Sequence, residues 1–138
     1  MMQTSYPKSK IKVLLLENIH PEAIAAFNAE EYQIESLKQS LPEAELSKKI
    51  QDFHILCIRS KTKISKQVLE NAHKLWGIGA YCIGTNHINL DACLDHGTIV
   101  FNAPYSNTRS VVELAIGEII VLLRKLFDKQ VPSTRCFK

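Results

Sequence analysis

The sequence predicts an α/β fold, a doubly wound and mainly parallel five-stranded sheet followed by one long helix. Two observations carry this. Apolar runs of strand length alternate five times with segments of helix length, and such alternation implies parallel strands joined by crossover helices. The first run, "KIKVLLLE" (10–17), is apolar nearly throughout, as in a sheet covered on both faces.

The elements follow in order. After the first strand, "HPEAIAAFNAEE" places Pro21 at a first helical turn, with Ile24 and Phe27 one turn apart. "YQIESL" (32–37) is a weaker strand. "LPEAELSKKIQD" sets Glu43 and Glu45 early and Lys48 and Lys49 late, an order that complements a helix dipole. Leu46 and Ile50 mark its apolar face. "HILCI" (54–58) is a third strand. Ser65 is placed to cap "KQVLENAHK", whose stripe is Val68, Leu69 and Ala72. "LWGIGAYC" (75–82) is a fourth strand. Asn89 caps "LDACLDH", and Gly97 stands where a helix end favours glycine. "TIVFN" (98–102) is the fifth strand. A loop then leads to a long helix near Ser110, with Ser110 as cap and Glu113 completing a capping box.

Composition narrows the function classes. An apolar fraction of 46% suits a folded soluble domain, and the net charge of +3 is small, from scattered cations. No nucleic-acid footprint is expected. The longest apolar run, "IIVLL" (119–123), falls far short of the roughly 20 residues a membrane span needs, and no signal peptide is visible. No cysteine pair has C-x-x-C spacing, and Cys57 sits in a strand, which suggests reduced thiols and a cytoplasmic setting. Cys93 and His96 share a helical face, but a metal site needs more ligands, so none is expected. His54, His73, His87 and His96 read as surface or packing residues.

The third strand ends in "RSKTKIS" (59–65). Ligands of open α/β sheets bind beyond the carboxyl ends of strands. Arg59 and Lys61 would meet an anion there, although two cations after a strand are also common in a solvated turn. Gly77 and Gly79 fall inside a strand and are a weak dinucleotide signal, and close backbone approach is the alternative reading. A receiver-like domain would want clustered aspartates beyond the first strand, where only Glu17 stands.

Three blocks, "IRSKTKIS", "IGAYCIGTNHINLDAC" and "VFNAPYSNTRSVVELAIGEIIVLLRK", resemble the amino-terminal part of the NAD-dependent D-2-hydroxyacid dehydrogenases, in their phosphoglycerate branch. The resemblance covers about positions 10–129. It implies an incomplete flavodoxin-like substrate domain (1–105), a connecting helix towards a nucleotide-binding domain (106–129) and an atypical tail (130–138). The implied reaction oxidises 3-phosphoglycerate to 3-phosphohydroxypyruvate with NAD, in serine synthesis. The implied substrate-binding residues are Arg59, Ser60, Lys61, Gly84, Asn102, Ser106 and Asn107, with Thr108 and Arg109 in the same loop. Ile83, Val111 and Val112 are implied to lie near the cofactor.

Departures from the family shape the remaining expectations. No G-x-G-x-x-G turn follows the long helix, and "DKQVPSTRCFK" is unlike the family. No position inherits the family's catalytic Arg, Glu or His. The chain is expected to be a truncated or frameshifted form, inactive alone. The alternatives are part of a different D-2-hydroxyacid dehydrogenase or a non-catalytic binding module. The long helix, apolar around most of its circumference, is expected to expose an apolar patch and to self-associate.

Overall fold

The structure, a computed structural model, describes residues 6–126. Strands β1 (Lys12–Leu15), β2 (Gln33–Ser36), β3 (Ile55–Ile58), β4 (Gly77–Ala80) and β5 (Ile99–Asn102) form one sheet. Its order is β2-β1-β3-β4-β5, and every pair is parallel. The helices are α1 (Pro21–Ala29), α2 (Glu43–Lys49), α3 (Lys66–Glu70), α4 (Leu90–His96) and α5 (Thr108–Leu123). The chain divides into two compact units, Met1–Pro104 and Tyr105–Lys138. The atypical tail lies outside the described residues.

Strand alternation sorts the side chains of the first unit onto two faces. Leu14, Leu56, Ile58, Ile78 and Ala80 meet Leu46, Ile50, Val68, Leu69 and Ala72 in one core cluster. Val13, Leu15 and Cys57 meet Ala23, Ile24 and Phe27 of α1 in the other. The sheet is thus doubly wound, but its two faces are unequally covered. On the α1 face beyond β3, Trp76, Ile99 and Phe101 are 45%, 60% and 67% exposed. With Phe27, Gly77, Gly79 and Tyr81 they line an apolar groove of about 350 Å³. β5 is therefore an edge strand with one bare side.

Several ends follow their local chemistry. Ser65 Oγ accepts from the Val68 amide at 3.4 Å, and Asn89 Oδ1 accepts from the Ala92 amide at 3.0 Å. Gly97 closes α4 at φ 76°, a left-handed conformation that glycine tolerates best. At α1 the histidine preceding Pro21 is the cap, since His20 Nδ1 accepts from the Glu22 amide at 3.2 Å.

The start of α5 differs from expectation. The helix begins at Thr108 with Asn107 in the capping position, and no side chain caps it. Ser110 lies inside the first turn, so the capping box with Glu113 is absent. Glu113 instead accepts from Arg109 Nε at 2.7 Å, four residues back. That i, i+4 pair offers Glu113 a charged partner where the capping box offered only an amide. No residue of α5 is buried. Gly77 and Gly79 also differ: a Cβ on either would make only ordinary contacts, at 3.5 and 3.6 Å. Close backbone approach does not account for them. They lower the floor of the apolar groove.

Candidate functional site

The chain leaves β1 towards β2 on one side and enters β3 on the other, so β1 and β3 flank the topological switch point. Open α/β sheets carry their ligand crevice there. Here a crevice of about 560 Å³ opens at those carboxyl ends, lined by Glu17, Asn18, Lys38, Gln39, Ser40, Arg59, Ser60 and Lys61. It draws on the turn after β1, the loop after β2 and the loop after β3.

Glu17 organises this corner. It is buried, with 7% of its surface exposed. Its carboxylate accepts from the Lys61 amide at 3.0 Å, the Thr62 amide at 2.8 Å and Thr62 Oγ1 at 2.6 Å. Burial alone would raise its pKa. The hydrogen bonds from Thr62 and from the backbone of Lys61, Thr62 and Arg59 outweigh this and hold the carboxyl below its usual range. Glu17 and Asn18 both have positive φ, 63° and 53°, which costs a non-glycine residue about 1 kcal/mol or more. Their amides donate to Gln39 O at 3.2 Å and Leu37 O at 3.3 Å. The tip of β1 is thereby tied to the loops on both sides.

The electrostatic result is an unbalanced crevice. Lys38, Arg59 and Lys61 are exposed and enter none of the ion pairs among the described residues. Glu17, the only lining carboxylate among the described residues, spends its lone pairs on the loop that carries Arg59 and Lys61. Such a site can receive an anion: guanidinium offers a planar fork of donors, and ammonium a point charge.

Further bonds run along the same carboxyl edge. Cys82 Sγ donates to Gly84 O at 3.2 Å and lies 3.6 Å from Arg59 O. Burial pushes its thiol up. Ile64 and Ile88 form a parallel bridge, joining the loops after β3 and β4. Asn102 Nδ2 donates to Ile83 O at 2.8 Å, tying the tip of β5 to that of β4.

Among the expected site residues, the crevice takes Arg59, Ser60 and Lys61. Ser60 also reaches a second cleft of about 280 Å³ with Lys63, Cys82, Gly84, Asn86 and His87. Asn102 borders neither. It lies on a shallow surface with Tyr81, Phe101 and Ala103. Ile83 is 44% exposed. Ser106, Asn107, Val111 and Val112 belong to the second unit, where the Val111 amide donates to Asn107 O at 3.0 Å. Val111 and Val112 are 54% and 49% exposed. Sequence reasoning missed Lys38 and, above all, Glu17. The available signal was one acid ending an otherwise apolar strand.

The histidines divide by edge. His54 is buried at the amino-terminal edge, where Nδ1 accepts from the Lys12 amide at 3.0 Å and the ring meets Trp76 edge-on at 4.7 Å. Burial, with Lys74 and Lys12 nearby, pushes its pKa down. His96 Nδ1 lies 2.8 Å from Thr98 Oγ1. His20 shares a cleft with Arg59 and Tyr81.

The described residues do not fit a dinucleotide. A pyrophosphate cradle needs a glycine-rich turn opening a helix. The turn after β1 has no glycine, and its helix is capped by His20. The turn after β4 has one, Gly84, and a Cβ there would meet Asn86 Oδ1 at 2.7 Å. No helix among the described residues is long and apolar enough to cross a membrane.

Residues 13–133 match the family described as D-isomer specific 2-hydroxyacid dehydrogenase, catalytic domain. A D-3-phosphoglycerate dehydrogenase of Dictyostelium discoideum is 51% identical over 126 residues, 91% of this chain and 31% of that protein. D-3-phosphoglycerate dehydrogenase 1 of Saccharomyces cerevisiae is 50% identical over 121 residues, 88% of this chain and 26% of that protein. The chain thus spans less than a third of the length of these relatives. A solved NAD+-bound 3-phosphoglycerate dehydrogenase of Entamoeba histolytica shares the fold at TM-score 0.71 and 22% identity, over 86% of this chain and 41% of the other. By the family match and these identities, the chain belongs to the D-isomer specific 2-hydroxyacid dehydrogenases.

Proposed function

We propose that this chain is the substrate-facing part of an NAD-dependent 3-phosphoglycerate dehydrogenase, and that its crevice takes an anionic end of the phosphorylated hydroxyacid. The observation that carries this is the trio Lys38, Arg59 and Lys61, free of ion pairs among the described residues, around the crevice at the switch point. Arg59 grips two oxygens of phosphate or carboxylate, Lys61 adds charge, and Ser60 adds a hydroxyl donor. Gly84 leaves room at the neighbouring loop. Asn102, Ser106 and Asn107 are assigned to the substrate side, and Ile83, Val111 and Val112 to the neighbourhood of NAD. In this reading NAD is gripped outside residues 6–126, and the setting is the cytoplasm.

A few exposed charge contacts support only weak binding, about 0 to 1 kcal/mol each. Millimolar affinity for 3-phosphoglycerate is expected, on the order of 4 kcal/mol. In a ¹⁵N NMR titration the ligand should shift Arg59, Ser60 and Lys61, and Arg59→Ala with Lys61→Ala should abolish those shifts. Unchanged shifts in the double variant would refute the assignment.

The bare helix α5 is assigned to self-association. Its large apolar residues from Val111 to Leu123 are about half or more exposed, apart from Val121, an apolar surface that soluble monomers rarely carry. Sedimentation velocity should show mass rising with concentration, and Ile119→Glu with Ile120→Glu should restore the monomer. A wild-type chain that stays monomeric at all concentrations would end this assignment.

A further inference from the structure

We infer that Glu17 is a positioning residue for the anion site, one whose negative charge sets the loop that presents Arg59 and Lys61. The inference rests on the crevice reading above. The first reason is conformational. Left-handed backbone at the tip of a central strand favours glycine, asparagine or aspartate. A glutamate stands there at φ 63°, followed by Asn18 at 53°. Strain of this kind persists only where surrounding contacts over-determine it. Those contacts are present: three donors from the loop after β3 converge on one carboxylate at 2.6 to 3.0 Å. The longer side chain spans from the end of β1 to the loop after β3.

The second reason is charge. A carboxylate beside two cations would ordinarily pair with them and compete with an anionic ligand. Here the carboxylate is turned to backbone and hydroxyl donors. Arg59 and Lys61 keep their charge for the crevice, while charge-assisted hydrogen bonds hold their backbone. Thr62 is 1% exposed and supplies both an amide and a hydroxyl, so water does not replace this latch. Glu17 touches no ligand in this account and acts through the loop.

The sign of the pH dependence follows. The folded pKa of Glu17 lies below that of a glutamate in an unfolded chain, about 4.3. Its contribution is complete above that pH and is lost as pH falls through the folded value.

The test compares wild type, Glu17→Gln and Thr62→Val by amide hydrogen exchange and by 3-phosphoglycerate titration. Glutamine keeps the shape but removes the charge and turns a donor towards donors. Exchange at Lys61 and Thr62, measured without ligand, should quicken about tenfold in Glu17→Gln, and ligand affinity should fall by a similar factor. The affinity ratio between wild type and Glu17→Gln should shrink towards one as pH drops below Glu17's pKa, with the ligand's own titration cancelling in the ratio. Thr62→Val keeps the carboxylate and loses one donor. It should show a smaller effect of the same kind, and it supplies the test if Glu17→Gln does not fold. Unchanged exchange at Lys61 and Thr62 overturns the inference whether or not the ligand binds. A ratio that stays constant with pH overturns it too. Absence of any ligand shift in the wild type, with the exchange effects present, refutes the crevice reading and leaves the latch standing.

Discussion

The purified chain, mixed with NADH and 3-phosphohydroxypyruvate, is expected to leave NADH absorbance flat. Hydride transfer requires the nicotinamide to be held against the substrate carbon, and that positioning is the protein's main contribution. Residues 6–126 contain no glycine-rich turn opening a helix, and the tip of β1 is occupied by the Glu17 latch. A proton acceptor is also wanted beside the substrate. His54 and His96 lie at the amino-terminal edge, engaged with Lys12 and Thr98. Loss of orientation alone removes about 7 to 11 kcal/mol of barrier lowering, so any rate should fall below detection. Turnover abolished by Arg59→Ala would overturn this expectation. His20 or His87, which line clefts at the carboxyl edge, would then be the first residues to vary.

The second large effect concerns stability. Leu56 lies in β3, the middle strand of five, and is fully buried between β1 and β4 in the larger core cluster. Leu56→Ala should cost about 2 to 5 kcal/mol, the lost transfer of its methyl groups plus the cavity left behind. A domain of this size has only about 5 to 15 kcal/mol in total. Phe101→Ala removes a larger side chain, but from the bare face of β5, and should cost less than about 1 kcal/mol. Urea unfolding measures both. Equal losses would mean that the face of β5 is covered.

The first unit should lose stability in acid through two buried groups, which urea unfolding at decreasing pH measures. Glu17 contributes stability above the ordinary glutamate pKa and loses it in acid. His54, buried and neutral, stops accepting from Lys12 once protonated, which its lowered pKa delays to more acidic conditions.

The sequence by itself determined the class of fold, the count of the strands and their succession along the chain, the start of α3 and both ends of α4. Those features are local. Side-chain period, a serine or asparagine three residues before the amide it accepts from, and a glycine at a left-handed position each act within a few residues. It also determined the family, because the block "NAPYSNTRSVVELAIGE" is specific, and it singled out Arg59 to Lys61 by their place after a buried strand. The start of α5 was misjudged at Ser110 because Arg109 offered Glu113 a stronger partner than the capping box did. Only the tertiary structure decided that β5 has an uncovered face, since cover depends on which helices pack there and not on the strand's own residues. It alone brought Lys38 from the loop after β2 to the cations after β3. It alone joined Glu17 to Lys61 and Thr62, which stand 44 and 45 residues away. In sequence Glu17 was a solitary acid. Its role comes from parallel strands that carry distant turns to one edge, where a buried carboxylate must find donors and the nearest ones belong to the loop that holds the anion-binding residues.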